Sequence, residues 1–299
     1  MRLINTHTLE LKEYFGGQIP RYAILSHTWE GDEATFQGWQ NPDRPSVELS
    51  EAINSMFSWY NASEVCYAYL ADVVPSEDHT SSFRSSRWFT RGWTLQELLA
   101  PHAVVFYNRE WGEIGMKKDM KAIISEVTRI PAEMMGPISM RLASIAQKMS
   151  WAASRTTTRI EDSAYCLLGI FDLNMPLLYG EGSKAFLRLQ EELIKISNDQ
   201  SIFSTWPWTS ILAPSPQVFT NSGHIRPGRP QTEKNEKYGD ISNRAYSITN
   251  AGLSISLQAI QAWNWLINYP IKALSTSSLR KSTVFCSLSM IEVLLTYMA

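Results

Sequence analysis

The chain has 299 residues, of which 44% are hydrophobic and 19% charged, with a formal net charge of -2. That length buries a substantial core in one large domain or two modest ones, and the balance is that of a soluble globular protein. It leaves no basic footprint for nucleic acid or an acidic membrane surface, and three widely spaced cysteines rule out a disulfide framework.

Taken in chain order, Arg2 to Glu10 lacks the apolar centre of a signal peptide. Tyr22-Ala23-Ile24-Leu25-Ser26 is a short apolar run that predicts a strand buried on both faces. Leu49, Ile53, Met56, Phe57 and Tyr60 recur at helical spacing and predict an amphipathic helix over 48–60. Val65 to Leu70 reads as a second buried strand ending at Asp72, and Asp78 to Ser86 as a polar, serine-rich loop. A short helix around Trp93 runs into a third strand, Ala103 to Tyr107. Strand, helix, strand, helix, strand predicts right-handed crossovers and a parallel sheet covered by helices.

Residues 112–150 look mainly helical, Thr158 to Glu161 has the spacing of a capping box, and Met175 to Gly182 reads as a turn. Phe186, Leu189, Leu193 and Ile196 form one stripe of a further helix, a core pattern rather than a cofactor box. After about Asn198, Pro207, Pro214, Pro216, Pro227 and Pro230 predict an irregular or β-rich extension. Val284 to Met298 is largely apolar but contains Glu292 and falls short of the roughly 20 residues a spanning helix needs, so no membrane span is expected.

Ligands of an open parallel sheet settle beyond the carboxyl ends of its strands. Those ends carry Ser26-His27-Thr28-Trp29, then Asp72, then Asn108-Arg109-Glu110. Ser26 and His27 are poorly placed to share a proton, since neighbours in a strand point to opposite faces, and no G-x-S-x-G elbow supports a serine hydrolase. His7, His27 and His102 read first as packed, hydrogen-bonded histidines. No H-E-x-x-H or Cys/His cluster offers a metal site, and Gly16-Gly17 and Gly180-Glu181-Gly182 lack phosphate-loop spacing. Glu161-Asp162 reads as a helix cap. In the segment Arg87 to Pro101, Trp93 and Glu97 are four apart and share a helix face. A carboxylate buried against an indole would favour its neutral form, as working acids and bases often do. On these residues alone, a surface glutamate that adds helix propensity is the first reading.

Taken together, these blocks resemble the fungal heterokaryon incompatibility (HET) domain. Tyr22-Ala23-Ile24-Leu25-Ser26-His27-Thr28-Trp29 is similar to its opening motif, and Arg91-Gly92-Trp93-Thr94-Leu95-Gln96-Glu97-Leu98-Leu99-Ala100-Pro101 to its most specific block. Arg159 to Phe171, and Met175 to Gly182 with the Phe186 helix, resemble the segment C-terminal to the domain in one large subgroup. The likeness covers residues 1–200 and divides the chain into a HET domain at 1–112, a helical continuation at 113–200 and a Pro-rich extension at 201–299. One block departs from the family, which carries a strand ending in a Trp-Val-Asp-x-x-Cys-Ile-Asp-like motif before the Leu49 helix. Here Gln40 to Val47 runs straight into that helix. A sheet missing an interior strand must re-pair its neighbours or leave hydrogen bonds unmade.

The resemblance implies a cytoplasmic effector or signalling module of programmed cell death in non-self recognition. Its implied partners are proteins, an upstream sensor or copies of itself, with no nucleic acid. It also implies a TIR/flavodoxin-like α/β fold, because the HET domain is remotely similar to the TIR domain of animal, plant and bacterial immunity. Some TIR domains cleave NAD at the nicotinamide–ribose bond with a glutamate in a Trp-x-x-x-Glu-Leu helix, the pattern at Trp93, Glu97 and Leu98. NAD is then the implied substrate, Glu97 the catalytic carboxylate, and Ser26, His27, Trp29 and Trp93 the nucleotide pocket. A third expectation is a remnant without activity, its sheet broken at the absent block.

Overall fold

A computed structural model describes residues 1–14, 19–28, 46–75, 79–204, 211–226, 247–249 and 252–254, with backbone alone at 46–49 and in the last two segments. Trp29, residues 227–246 and the Val284 to Met298 segment lie outside the described residues.

The chain opens with an antiparallel hairpin, β1 (Arg2–Ile4) and β2 (Leu11–Glu13). The main sheet begins at β3 (Ala23–His27), and helix α1 (Ser46–Ala62) leads to β4 (Val65–Tyr69). These strands pair in parallel over their whole length, from Ala23 opposite Val65 to His27 opposite Tyr69. The two strands that flank the absent block therefore meet directly, and their hydrogen bonds are made.

Helix α2 (His79–Arg84) replaces the loop expected over Asp78 to Ser86. Its serines face outward while Phe83 is fully buried, with ring centroids 5.0 Å from Phe89 and 5.1 Å from Phe106. One buried aromatic thus outweighs the weak helix propensity of a serine-rich stretch, because tertiary packing supplies most helical stability. A 3-10 turn (Arg87–Thr90), helix α3 (Thr94–Leu99) and β5 (Val104–Tyr107) come next, β5 parallel to β4.

Strand β6 (Glu113–Met116) returns antiparallel to β5, so the sheet order β3-β4-β5-β6 is mixed rather than wholly parallel. The reason lies in the turn. Asn108 Oδ1 accepts the backbone N–H groups of Glu110 (3.0 Å) and Gly112 (2.9 Å), with Trp111 at φ 61°, which reverses the chain too tightly for a crossover helix.

The strands are also one-sided, not buried on both faces. Ser26, Cys66, Ala68, Val104 and Phe106 point inward and are essentially fully buried, whereas Leu25 (45% exposed) and Tyr67 (36% exposed) open outward. This is the alternation of a sheet packed on one face.

Beyond the sheet come helices α4 (Lys121–Thr128), α5 (Ile145–Ala152), α6 (Asp162–Tyr165), α7 (Leu168–Phe171) and α8 (Lys184–Ile196), and a hairpin of β7 (Ser247–Thr249) and β8 (Gly252–Ser254) is last among the described residues. The capping box forms at Ser144 and Gln147, before α5, and not at Thr158 to Glu161. In α8, Phe186, Leu189 and Leu193 enter the core, but Ile196 at the helix end is 62% exposed. Helix α1 packs on α3 and α7. The α7 contact is so close that a Cβ on Gly169 would stand 2.1 Å from Phe57 Cβ, a position only glycine can fill. No helix among the described residues is long and apolar enough to cross a membrane.

Candidate functional site

Helix α3 is held by its surroundings at both ends. At its start, Thr94 Oγ1 donates to the Trp88 carbonyl (2.5 Å) and accepts from Arg155 Nη1 (2.9 Å). At its end, the buried Lys117 ammonium donates to the carbonyls of Leu98 (3.0 Å) and Pro101 (2.5 Å), a cation at the negative pole of the helix. Burial pushes the Lys117 pKa down to about 8. All six residues of α3 are buried.

Glu97 is 6% exposed, which removes the reading of a surface glutamate. Its carboxylate Oε2 accepts a hydrogen bond from Ser26 Oγ, and Ser26 Oγ in turn accepts from Trp88 Nε1 at 2.8 Å. The indole coupled to Glu97 is therefore Trp88, through a serine, while the Trp93 indole acts on Asp162, where it opposes the rise in pKa that burial causes. Burial pushes the Glu97 pKa up to about 7, against the opposing pulls of Ser26, His27, Tyr60 and Arg155. A group poised there exchanges a proton readily at neutral pH.

Glu97 opens on a cleft of about 310 Å³ lined by His27, Thr28, Ile53, Met56, Arg91, Trp93, Thr94, Asp162 and Tyr179. That size suits part of a nucleotide-sized ligand. Of the expected residues, the structure brings His27, Trp93 and Glu97 to the wall of one cleft, with Ser26 behind Glu97 at 1% exposure. Trp29 lies outside the described residues.

Among the described residues, only the first strand-end loop lines this cleft. Asp72 instead accepts from Ser86 Oγ and the Arg87 N–H, both at 2.7 Å, and Asn108 closes the β5–β6 turn. Both are structural staples.

Sequence reading missed the far wall, formed by Asp162 and Tyr179, and the cation at the rim, Arg91. Glu161 and Asp162 do not cap the start of α6 with their side chains. Glu161 Oε1 accepts the N–H groups of Gly180 (2.8 Å) and Gly182 (3.0 Å), and Tyr179 Oη donates to Asp162 (3.0 Å). Gly180 and Gly182 sit at φ 102° and 62°, where glycine is favoured, and this lets both N–H groups converge on one carboxylate. Its own backbone N–H first, and then those of Gly180 and Gly182, hold the Glu161 pKa below its ordinary value. The glycine spacing in Gly180-Glu181-Gly182 was the available signal, a small anion nest with its anion supplied from within. Arg91 Nη2 donates to Thr158 Oγ1 (3.0 Å), and the Arg159 guanidinium lies 4.5 Å from the Tyr179 ring centroid.

No family model matches the chain, and no solved structure is similar to it. The chain is 39% identical over 228 residues to the vegetative incompatibility protein HET-E-1 of Podospora anserina, a match that covers 62% of this chain. It spans 17% of that protein's length. The ordered motifs and this similarity together support a protein of the fungal heterokaryon incompatibility, or HET, type.

Proposed function

We propose that the chain is an incompatibility effector that signals programmed cell death in the fungal cytoplasm, and that it does so by cleaving NAD at the nicotinamide–ribose bond. The incompatibility role is supported by the likeness to HET-E-1. The chemistry is carried by one observation: a buried carboxylate, Glu97, hydrogen-bonded to Ser26 at the wall of a cleft that also offers an arginine and two aromatic rings. Charge would develop on the ribose as an oxocarbenium-like cation when nicotinamide departs, and an ionised Glu97 would stabilise it as carboxylates do in glycoside hydrolysis. Water then adds to the ribose carbon and gives up a proton, so that the products are nicotinamide and ADP-ribose.

Trp93 and Tyr179 supply flat apolar surface for a ring, and Arg91 supplies a cation for a phosphate. Protein partners, an upstream sensor or copies of the chain, would gate the activity. Purified protein incubated with NAD is expected to release nicotinamide, and Glu97→Gln to release none. Wild-type protein at high concentration releasing no nicotinamide would overturn the enzymatic reading. Equal cell death on expressing wild type and Glu97→Gln would leave a scaffold.

A further inference from the structure

Three groups converge where β3 meets α3, and only one has access to solvent. Trp88 and Ser26 are each 1% exposed, and Glu97 reaches the cleft. An indole N–H can only donate, whereas a serine hydroxyl has one proton to give and lone pairs to accept with. Because Trp88 Nε1 occupies Ser26 Oγ as donor at 2.8 Å, the serine proton is committed to Glu97 Oε2. The direction of the chain is therefore fixed: indole to hydroxyl to carboxylate. A core that needed only packing would fill this space with apolar side chains, since a buried polar set is costly unless each member is satisfied.

We propose that Trp88, acting through Ser26, is the positioning device of the cleft, holding Glu97 by Oε2 in one rotamer at the cleft wall. Ser26 then serves the carboxylate and does not touch the ligand. This rests on Glu97 being the reacting group of the proposed function. The other titratable groups that act on Glu97 are Tyr60 on α1, Cys66 on β4, His27 on β3 and Arg155 after α5. Of these, Tyr60 also reaches the carboxylate with its hydroxyl. The Trp88 ring itself is fixed edge-to-face against Phe89 (5.1 Å) and Phe106 (5.6 Å), so its N–H has one direction to point.

The test is a titration of the Glu97 carboxyl carbon by NMR on protein labelled in its glutamates, with Glu97→Gln to assign the signal. A hydrogen bond given to the ionised form lowers a carboxyl pKa, so its loss must raise it. Ser26→Ala is expected to move the midpoint up by about one unit, the size of a charge-assisted hydrogen bond. Replacing Trp88 by benzothienylalanine, which keeps the bicyclic shape but has no N–H, is expected to move it up by a smaller amount. Thermal melts confirm that both variants are folded. An unchanged midpoint in either folded variant overturns the proposal. Nicotinamide release is read in parallel. If the midpoint moves but wild type releases no nicotinamide, the positioning holds and the NAD reading fails; if release occurs and the midpoint stays fixed, the reverse is true.

Discussion

Two buried carboxylates serve one cleft, yet their surroundings treat them oppositely. Glu97 on α3 is raised to a pKa of about 7 by burial, whereas Glu161 is lowered by its own backbone N–H and those of Gly180 and Gly182. Both are under a tenth exposed, yet Glu97 lies deep in the core, where burial outweighs its hydrogen bonds, and Glu161 lies close to the surface, where hydrogen bonds outweigh burial. The donors differ as well. Glu97 faces side-chain hydroxyls, while Glu161 sits where backbone amides converge, and dipoles fixed by the chain stabilise a charge without reorganising. The first arrangement keeps a proton available; the second holds a loop in place and never changes state near neutral pH.

The largest effect that would break this comparison is catalytic. Glu97→Gln is expected to lower nicotinamide release by about 10²–10⁴-fold, the range for a positioned acid, base or carboxylate. Glu161→Ala is expected to retain turnover within a few-fold per folded molecule. Comparable losses in the two variants would erase the distinction.

The second effect is on stability, and its sign differs between the two sites. A pKa raised from the ordinary 4.5 to about 7 means that the folded state binds more protons in that window. The contribution of Glu97 is therefore fully present below about pH 4.5 and lost as pH rises through about 7, a swing of about 3 kcal/mol. Denaturant unfolding of wild type and Glu97→Gln at pH 5 and pH 8 should show the variant gaining most at pH 8. Glu161 runs the other way: its lowered pKa gives stability present above the unfolded carboxylate range and lost as pH falls below it.

A smaller effect comes from the loop itself. Glu161→Ala strands two amide donors, and in urea unfolding at pH 7 it is expected to cost more than the loss of any single hydrogen bond of the loop. Smaller still, Tyr179→Phe removes one hydrogen bond to Asp162 and should cost about 0.5–1.5 kcal/mol by the same measurement.

Much of this was legible in the chain of residues alone. Apolar runs placed β3, β4 and β5 to within a residue or two, although the burial on both faces inferred from those runs did not hold. The α1 spacing gave its helix, and the block from Gly92 to Pro101 gave the carboxylate. What failed to show was anything decided by a partner distant in sequence. Phe83 makes a helix of a serine-rich segment only because Phe89 and Phe106 await it. The antiparallel turn of β6 depends on one asparagine side chain, and no periodicity announces that. Trp88 reads as one tryptophan among eleven until Ser26, 62 residues away in sequence, is seen beneath its N–H. Asp162 and Tyr179 sit in blocks whose local reading, a cap and a turn, was complete without the cleft.

The pairing of β3 has a kinetic consequence. Among the described residues this strand borders a single neighbour, β4, at one end of the sheet, and its Ser26 must reach Glu97 across a separation of 71 residues. Closing so long a loop is entropically late, and strands at a border are among the first to open. The carboxylate is thus assembled only when the border strand is seated, and transient departure of that strand would disarm the cleft while the rest of the molecule stayed folded. Hydrogen exchange at the amides of β3, set against those of β4, would report that opening.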